Sequence, residues 1–152
     1  MDDTRAAMTP KLIDSLYTEA MLLADEARSY FDKVGREERM ALDPLVRVGF
    51  SCESLKVTTR LMHIIAWLLT QRAVNAGELT PAQANSRDRR LGEPVDSDPE
   101  VLEQLPESAL SLIRSSSDLY ERVRRLAEGG PPSDEAPQSP ARSLLSRLER
   151  SL

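Results

Sequence analysis

Apolar residues recur along this chain at steps of three and four, and they do so most densely between Glu53 and Val74. That stretch has no Pro or Gly, so the spacing predicts a long helix. At about 100° per residue, Leu55, Met62, Ile65 and Leu69 fall on one stripe, and Val57, Leu61, Ile64 and Leu68 on a second beside it. Together the stripes cover about half the circumference or more, wider than one packing partner usually needs. A helix of this kind belongs at the centre of a bundle or against a second chain.

The flanking segments supply the neighbours. Thr9-Pro10 has the grammar of a helix entry, and a seam from Leu12 through Leu16, Ala20, Leu23, Ala27 and Phe31 predicts a first helix over 9–34, with Gly35 as its cap. Arg36 to Ala41 reads as a helical turn in a connector. Asp43-Pro44 then opens the second helix, 44–76, with Gly49 inside it and Gly77 after it. Thr80 and Gln83 are spaced as a capping box, which predicts a short helix over 80–86. The charged, Pro-broken run Arg87–Pro99 reads as a loop. A third long helix follows over 106–128, with Leu105, Ala109, Leu112, Ile113, Tyr120, Val123 and Leu126 on its seam. Ser115-Ser116-Ser117 in its middle is poor helix material, but small enough to let a neighbour approach. The expected architecture is all-α: a three-helix bundle over 9–128 after a flexible 1–8. The Gly-Pro-Ser composition from 129 to 140 predicts a disordered linker, followed by a Leu-rich tail peptide to 152. In the tail, Leu144, Leu145, Leu148 and Leu152 share one helical face, although the segment is too short to hold a helix alone.

Composition narrows the function. Aromatics make up only 4% of the chain, so the core must be aliphatic, which favours helices over sheets. The net charge of −5 argues against a general nucleic-acid binder. A single cysteine, Cys52, precludes an intramolecular disulfide and a thiolate cluster. On its helix it reads as a small hydrophobe rather than a nucleophile. The N-terminal residues lack a signal-peptide pattern, and the apolar run Leu61–Leu69 is too short to span a bilayer, so a cytoplasmic, membrane-free protein is expected.

Catalytic patterns are missing. There is no Gly-rich phosphate loop. The one histidine, His63, has no acid at three or four residues to orient it, and a carboxylate-bundle metal site needs two Glu-x-x-His motifs. No catalytic residue, cofactor or metal is therefore expected. The polar side of the central helix is a better candidate. Glu53, Lys56, Arg60, His63 and Trp67 share one arc, and a Trp among cations can be either a binding hot spot or a residue covered by the loop or tail. The expected partner-binding set is Lys56, Arg60, His63, Trp67 and Arg72, with Leu144, Leu145 and Leu148 as a peptide that either docks on its own bundle or is captured by another protein.

The blocks Glu53-Ser-Leu-Lys-Val-Thr-Thr-Arg-Leu-Met62, Ala66-Trp-Leu-Leu69, Gln71-Arg-Ala-Val74 and Gly77-Glu-Leu-Thr80 resemble the RcdA family, the alphaproteobacterial regulator of CtrA degradation. The resemblance covers the second helix and its exit turn most specifically, and the first helix in pattern only. It implies a three-helix bundle that dimerises and a disordered C-terminal tail. It also implies a non-enzymatic adaptor that joins the ClpXP protease, primed by a response regulator, to cargo such as cell-cycle transcription regulators. The alternative is a small helical DNA-binding or transcription-associated regulator, using Arg72, Arg87, Arg89 and Arg90 against phosphates.

Overall fold

The computed structural model describes residues 2–129, with side-chain surroundings from Thr9 onward. The linker and tail, including Leu144, Leu145 and Leu148, lie outside the described residues. The order is α1 (Asp2–Asp32), α2 (Val34–Met40), α3 (Pro44–Asn75), α4 (Pro81–Ala84), a 3-10 turn (Arg87–Arg89), α5 (Pro99–Leu102) and α6 (Glu107–Gly129). The described residues contain no strand, and the architecture is an all-α bundle.

The entries to α3 and α4 follow their sequence signals. Asp43 is extended at the N-cap of α3 with Pro44 behind it. Thr80 Oγ1 accepts from the Gln83 amide at 3.1 Å, while Gln83 Oε1 accepts from the Thr80 amide at 2.9 Å, a complete capping box. α3 is closed by Gly77, whose φ of +77° lies in the left-handed region where a side chain would be strained.

Three expectations need correction. α1 starts at Asp2, so Pro10 lies inside the helix and Thr9 is not its cap; the proline removes one ladder hydrogen bond without ending the helix. Gly35 is not a cap either. It sits buried within α2, where an added Cβ would be 2.8 Å from the Tyr30 carbonyl oxygen, so it is the close approach of α1's last turns that calls for glycine. The loop Arg87–Pro99 contains the 3-10 turn and leads into α5, whose cap Asp98 accepts from the Glu100 amide at 2.9 Å. Gly49 within α3 lets α5 pack close: a Cβ there would be 2.7 Å from Val101 Cγ1.

The core is built by α1, α3 and α6, with α3 packed extensively on both of the others. Ile13, Leu16, Ala20 and Ala27 come from α1, and Ala109, Leu112, Ile113, Leu119, Tyr120 and Val123 from α6. The two stripes of α3 separate here. Val57, Leu61, Ile64 and Leu68 are buried among these residues, whereas Leu55 and Met62 are 67% and 64% exposed and Leu69 is exposed as well. At the α1–α2–α3 end, Tyr30, Phe31 and Phe50 form an aromatic cluster, with Phe31 edge-on to both Tyr30 and Phe50. The Tyr30 hydroxyl donates to Glu38 at 3.3 Å.

Ile64→Ala is expected to destabilise the bundle by about 2–5 kcal/mol in urea unfolding, because Ile64 is wholly enclosed and the cavity cannot collapse freely. Burial, followed by the nearby Glu38 charge, pushes the Tyr30 hydroxyl from 10.0 up to about 12. Since the folded state holds this proton more tightly, the contribution is intact below pH 10 and is lost as pH rises toward about 12. The urea midpoint of Tyr30→Phe should therefore fall less steeply than that of the parent across this alkaline window. Parallel slopes would contradict the linkage.

Candidate functional site

The polar arc of α3 has an internal role. Arg60 is only 3% exposed, and its fork reaches across the bundle. Nη1 donates to Ser116 Oγ on α6 at 2.9 Å, and Nη2 donates to the Val95 carbonyl at 2.8 Å. Ser116 can stand at this point of α6 because its own hydroxyl donates back to the Ile113 carbonyl at 3.0 Å. Two turns before Arg60, buried Glu53 accepts from Ser97 Oγ and pairs with Lys56 Nζ at 3.0 Å. Burial lowers the Arg60 guanidinium below its ordinary value, while Glu53 and Asp96 oppose that shift. The result ties the segment around Val95–Ser97 down onto α3 and α6.

The same segment covers the rest of the arc. Gly92 lies against the His63 ring, where a Cβ would be 2.5 Å from Nδ1. The Tyr120 hydroxyl donates to the Gly92 carbonyl at 2.6 Å. Trp67 is 9% exposed and belongs to the core. Of the expected partner-binding residues, Arg60 and Trp67 are therefore enclosed by their own chain, and Lys56 and His63 are half-buried against it. The physical reason is that the Pro-broken loop bonds to Arg60 and Glu53 and lies over His63, whose Nδ1 is buried without a hydrogen-bond partner. Arg72 alone of that set is exposed. It stacks over the Tyr17 ring at 4.6 Å and pairs with Asp14 at 3.2 Å, so it belongs with α1. The basic turn is likewise tied to its own chain: Arg89 donates to the Gln83 carbonyl and Arg90 to that of Asn85.

Two surfaces remain open. The first is the outward stripe of α3, where Leu45, Val48, Cys52, Leu55, Met62, Ala66 and Leu69 are all exposed. With half-buried Thr59 they alternate at steps of three and four, the a/d pattern of a coiled-coil seam. Cys52 is thus an exposed member of this stripe rather than a core residue. Leu45, Val48 and Cys52 were missed as functional candidates, although a heptad count through the whole helix would have found them. The second is a cleft of about 620 Å³ between the start of α1, the end of α3, α4, the Arg90–Pro94 segment and the end of α6. Ile13, Trp67, Val74 and Leu91 form apolar wall; Arg90, Glu93, Arg124 and Glu128 are its charged residues. Among the described residues no cluster of His, Cys, Asp or Glu is placed to hold a metal ion, and no helix is long and apolar enough to cross a membrane.

These features define an all-α bundle whose open surfaces are an apolar helix stripe and a cleft. The family described as "Protein of unknown function (DUF1465)" matches residues 4–152. The crystal structure of RcdA from Caulobacter crescentus CB15 is similar, with 36% identity and a TM-score of 0.62, covering 76% of this chain and 87% of that one. The chain belongs to the RcdA family. A comparison with curated proteins gives no match.

Arg60→Ala is expected to cost about 3–5 kcal/mol, since it leaves the buried Val95 carbonyl and Ser116 hydroxyl without their charged donor, while Glu53 keeps its pair with Lys56. Amide exchange around Val95–Ser97 should accelerate along with it. Arg60→Lys, which keeps the charge but not the fork, should recover only part of the loss. Unchanged exchange in this segment in Arg60→Ala would contradict the clamp.

Proposed function

We propose that the protein is a non-enzymatic adaptor for regulated proteolysis, a cytoplasmic dimer that brings protein cargo to the ClpXP protease primed by a response regulator. The observation that carries this reading is the similarity to RcdA, a likeness that extends over most of both chains. The physical features agree with it. An adaptor needs no reacting groups, only two separable binding surfaces and the gain in local concentration that comes from holding two proteins together. Cell-cycle transcription regulators are the cargo class that the family resemblance suggests.

The outward stripe of α3 is the proposed homodimer surface. Its a/d register suits a second copy of the same helix, which would exclude water from both stripes along their length. Arg72 and the tail residues Leu144, Leu145 and Leu148 are the proposed contacts to other proteins. For the nucleic-acid alternative, three of the four arginines that would make a phosphate patch are already engaged: Arg72 with Tyr17 and Asp14, Arg89 with Gln83 and Arg90 with Asn85. No observation favours that alternative.

Light scattering at micromolar concentration should give a dimer mass, and Leu55→Asp combined with Met62→Asp should give a monomer that keeps its helical circular dichroism. A monomer mass for the unaltered chain would rule out this surface. A pull-down from native cell extract should recover ClpX and ClpP together with response-regulator or transcription-regulator proteins. Recovery of none of these would sink the adaptor reading. Repeating it with a chain ending at Gly130 assigns the tail to whichever partner is lost.

A further inference from the structure

The cleft beside Trp67 is neither part of the polar clamp nor part of the outward stripe, and its position relative to the end of α6 is informative. Leu126, Ala127 and Glu128 line it, so the chain leaves α6 at the cleft's own edge. Between Gly129 and Leu144 lie residues 130–143, 14 positions that include four prolines and three serines. Fully extended, 14 residues span up to about 45 Å, so the segment that follows is within reach of every part of the cleft.

We propose that the chain's own C-terminal segment, residues 143–152, docks in this cleft. The chemistry matches on both sides. Coiled as a helix, the segment would place Leu144, Leu145, Leu148 and Leu152 within an arc of about 100°, a face able to meet half-buried Val74 and Leu91 and the exposed edge of Trp67 in the cleft wall. Arg142, Arg147 and Arg150 outnumber Glu149 in the last twelve residues, giving this end a positive excess. The cleft's charged lining is balanced, Arg90 and Arg124 against Glu93 and Glu128, but Arg90 donates to the Asn85 carbonyl and Arg124 pairs with Glu128, so Glu93 is the charge left without an ion pair among the described residues. A ten-residue amphipathic segment does not hold a helix alone and gains its order from a surface.

Tethering makes weak docking sufficient. A linker of this kind supplies an effective concentration on the order of millimolar, so an intrinsic dissociation constant of about 0.1 mM fills the cleft about nine-tenths of the time. Any protein that captures the tail, or any peptide that enters the cleft, must first displace it, and its apparent affinity falls about tenfold. The tail is then a built-in competitor that sets the threshold for partner binding. This holds whichever partner the tail serves, and it does not depend on the proteolysis reading.

Trp67 is the chain's only tryptophan and lies in the cleft, so it reports contact directly. In the full chain carrying Cys52→Ser and Ser151→Cys, a bimane label on the new thiol should be quenched severalfold relative to the same chain with Trp67→Phe. The quenching should persist over about a hundredfold dilution, as an intramolecular contact does, and should vanish with Leu144→Asp plus Leu148→Asp. Quenching equal to that of Trp67→Phe would overturn the proposal. So would quenching that fades on dilution, which would mean the tail of a second copy fills the cleft. A free 141–152 peptide supplies an independent reading. It should bind the full chain carrying Leu144→Asp and Leu148→Asp about tenfold more tightly than the unaltered chain, whose cleft is already filled. Equal affinities would overturn the proposal.

Discussion

A guanidinium in the middle of a small helical bundle is the constraint around which the rest is arranged. Removing a charge from water costs several kcal/mol even after relaxation, so Arg60 is tolerable only if its donors find oxygens at good geometry. No single neighbouring helix supplies them. One comes from Ser116 on α6 and the other from the Val95 carbonyl in the loop, with Glu53 nearby to balance the charge. Satisfying Arg60 therefore forces a serine into the seam of α6 and draws the Pro-broken segment onto α3. Once that segment is down, the Gly92 carbonyl is in reach of Tyr120, Gly92 rests on His63, and Trp67 is enclosed.

This arrangement inverts the ordinary amphipathic helix. A surface helix normally buries its apolar face and shows its polar face to water. α3 buries one apolar stripe, has its polar arc covered by its own chain, and leaves a second apolar stripe outside. Scattered exposed leucines need no explanation, but a continuous row in a/d register is different, because it keeps costing solvation free energy until something covers it. The exposed apolar side chains Met21 and Leu22 on α1 add to the apolar surface of the bundle.

Much of the fold could be read from the sequence because the signals were local. Asp43-Pro44, Thr80 with Gln83, and Gly77 act through their own backbone and their next few residues, and they stand where expected. The division of α3 into two stripes was legible too, since angular position depends only on spacing. What misled was the polar arc. Angle places Glu53, Arg60 and Trp67 together, but does not say what covers them. That depends on Val95 and Ser97, some 35 to 45 residues away in sequence and lacking any periodic pattern. Gly35 misled for a related reason. A glycine after an apolar seam reads as a cap, but here its missing side chain answers to the carbonyl of Tyr30. The Ser115–Ser117 triplet was the clue to the clamp, and recognising it required pairing a weak spot in one helix with the arginine of another.

The open surfaces lie on different sides of the same helix, and that separation has consequences for how the protein can work. Counting about 100° per residue, the stripe through Leu55 and Met62 is centred roughly 100° away from the arc through Trp67 and Val74 that faces the cleft. A second copy seated on the stripe need not cover the cleft, and a peptide in the cleft need not disturb the dimer. The two are nonetheless parts of one rigid element, anchored between them by Arg60. For a protein that works by holding others in place, control comes from competition for surfaces. A central helix with one open face suited to a like chain and another bordering a cleft would supply both a platform and a means of regulating it.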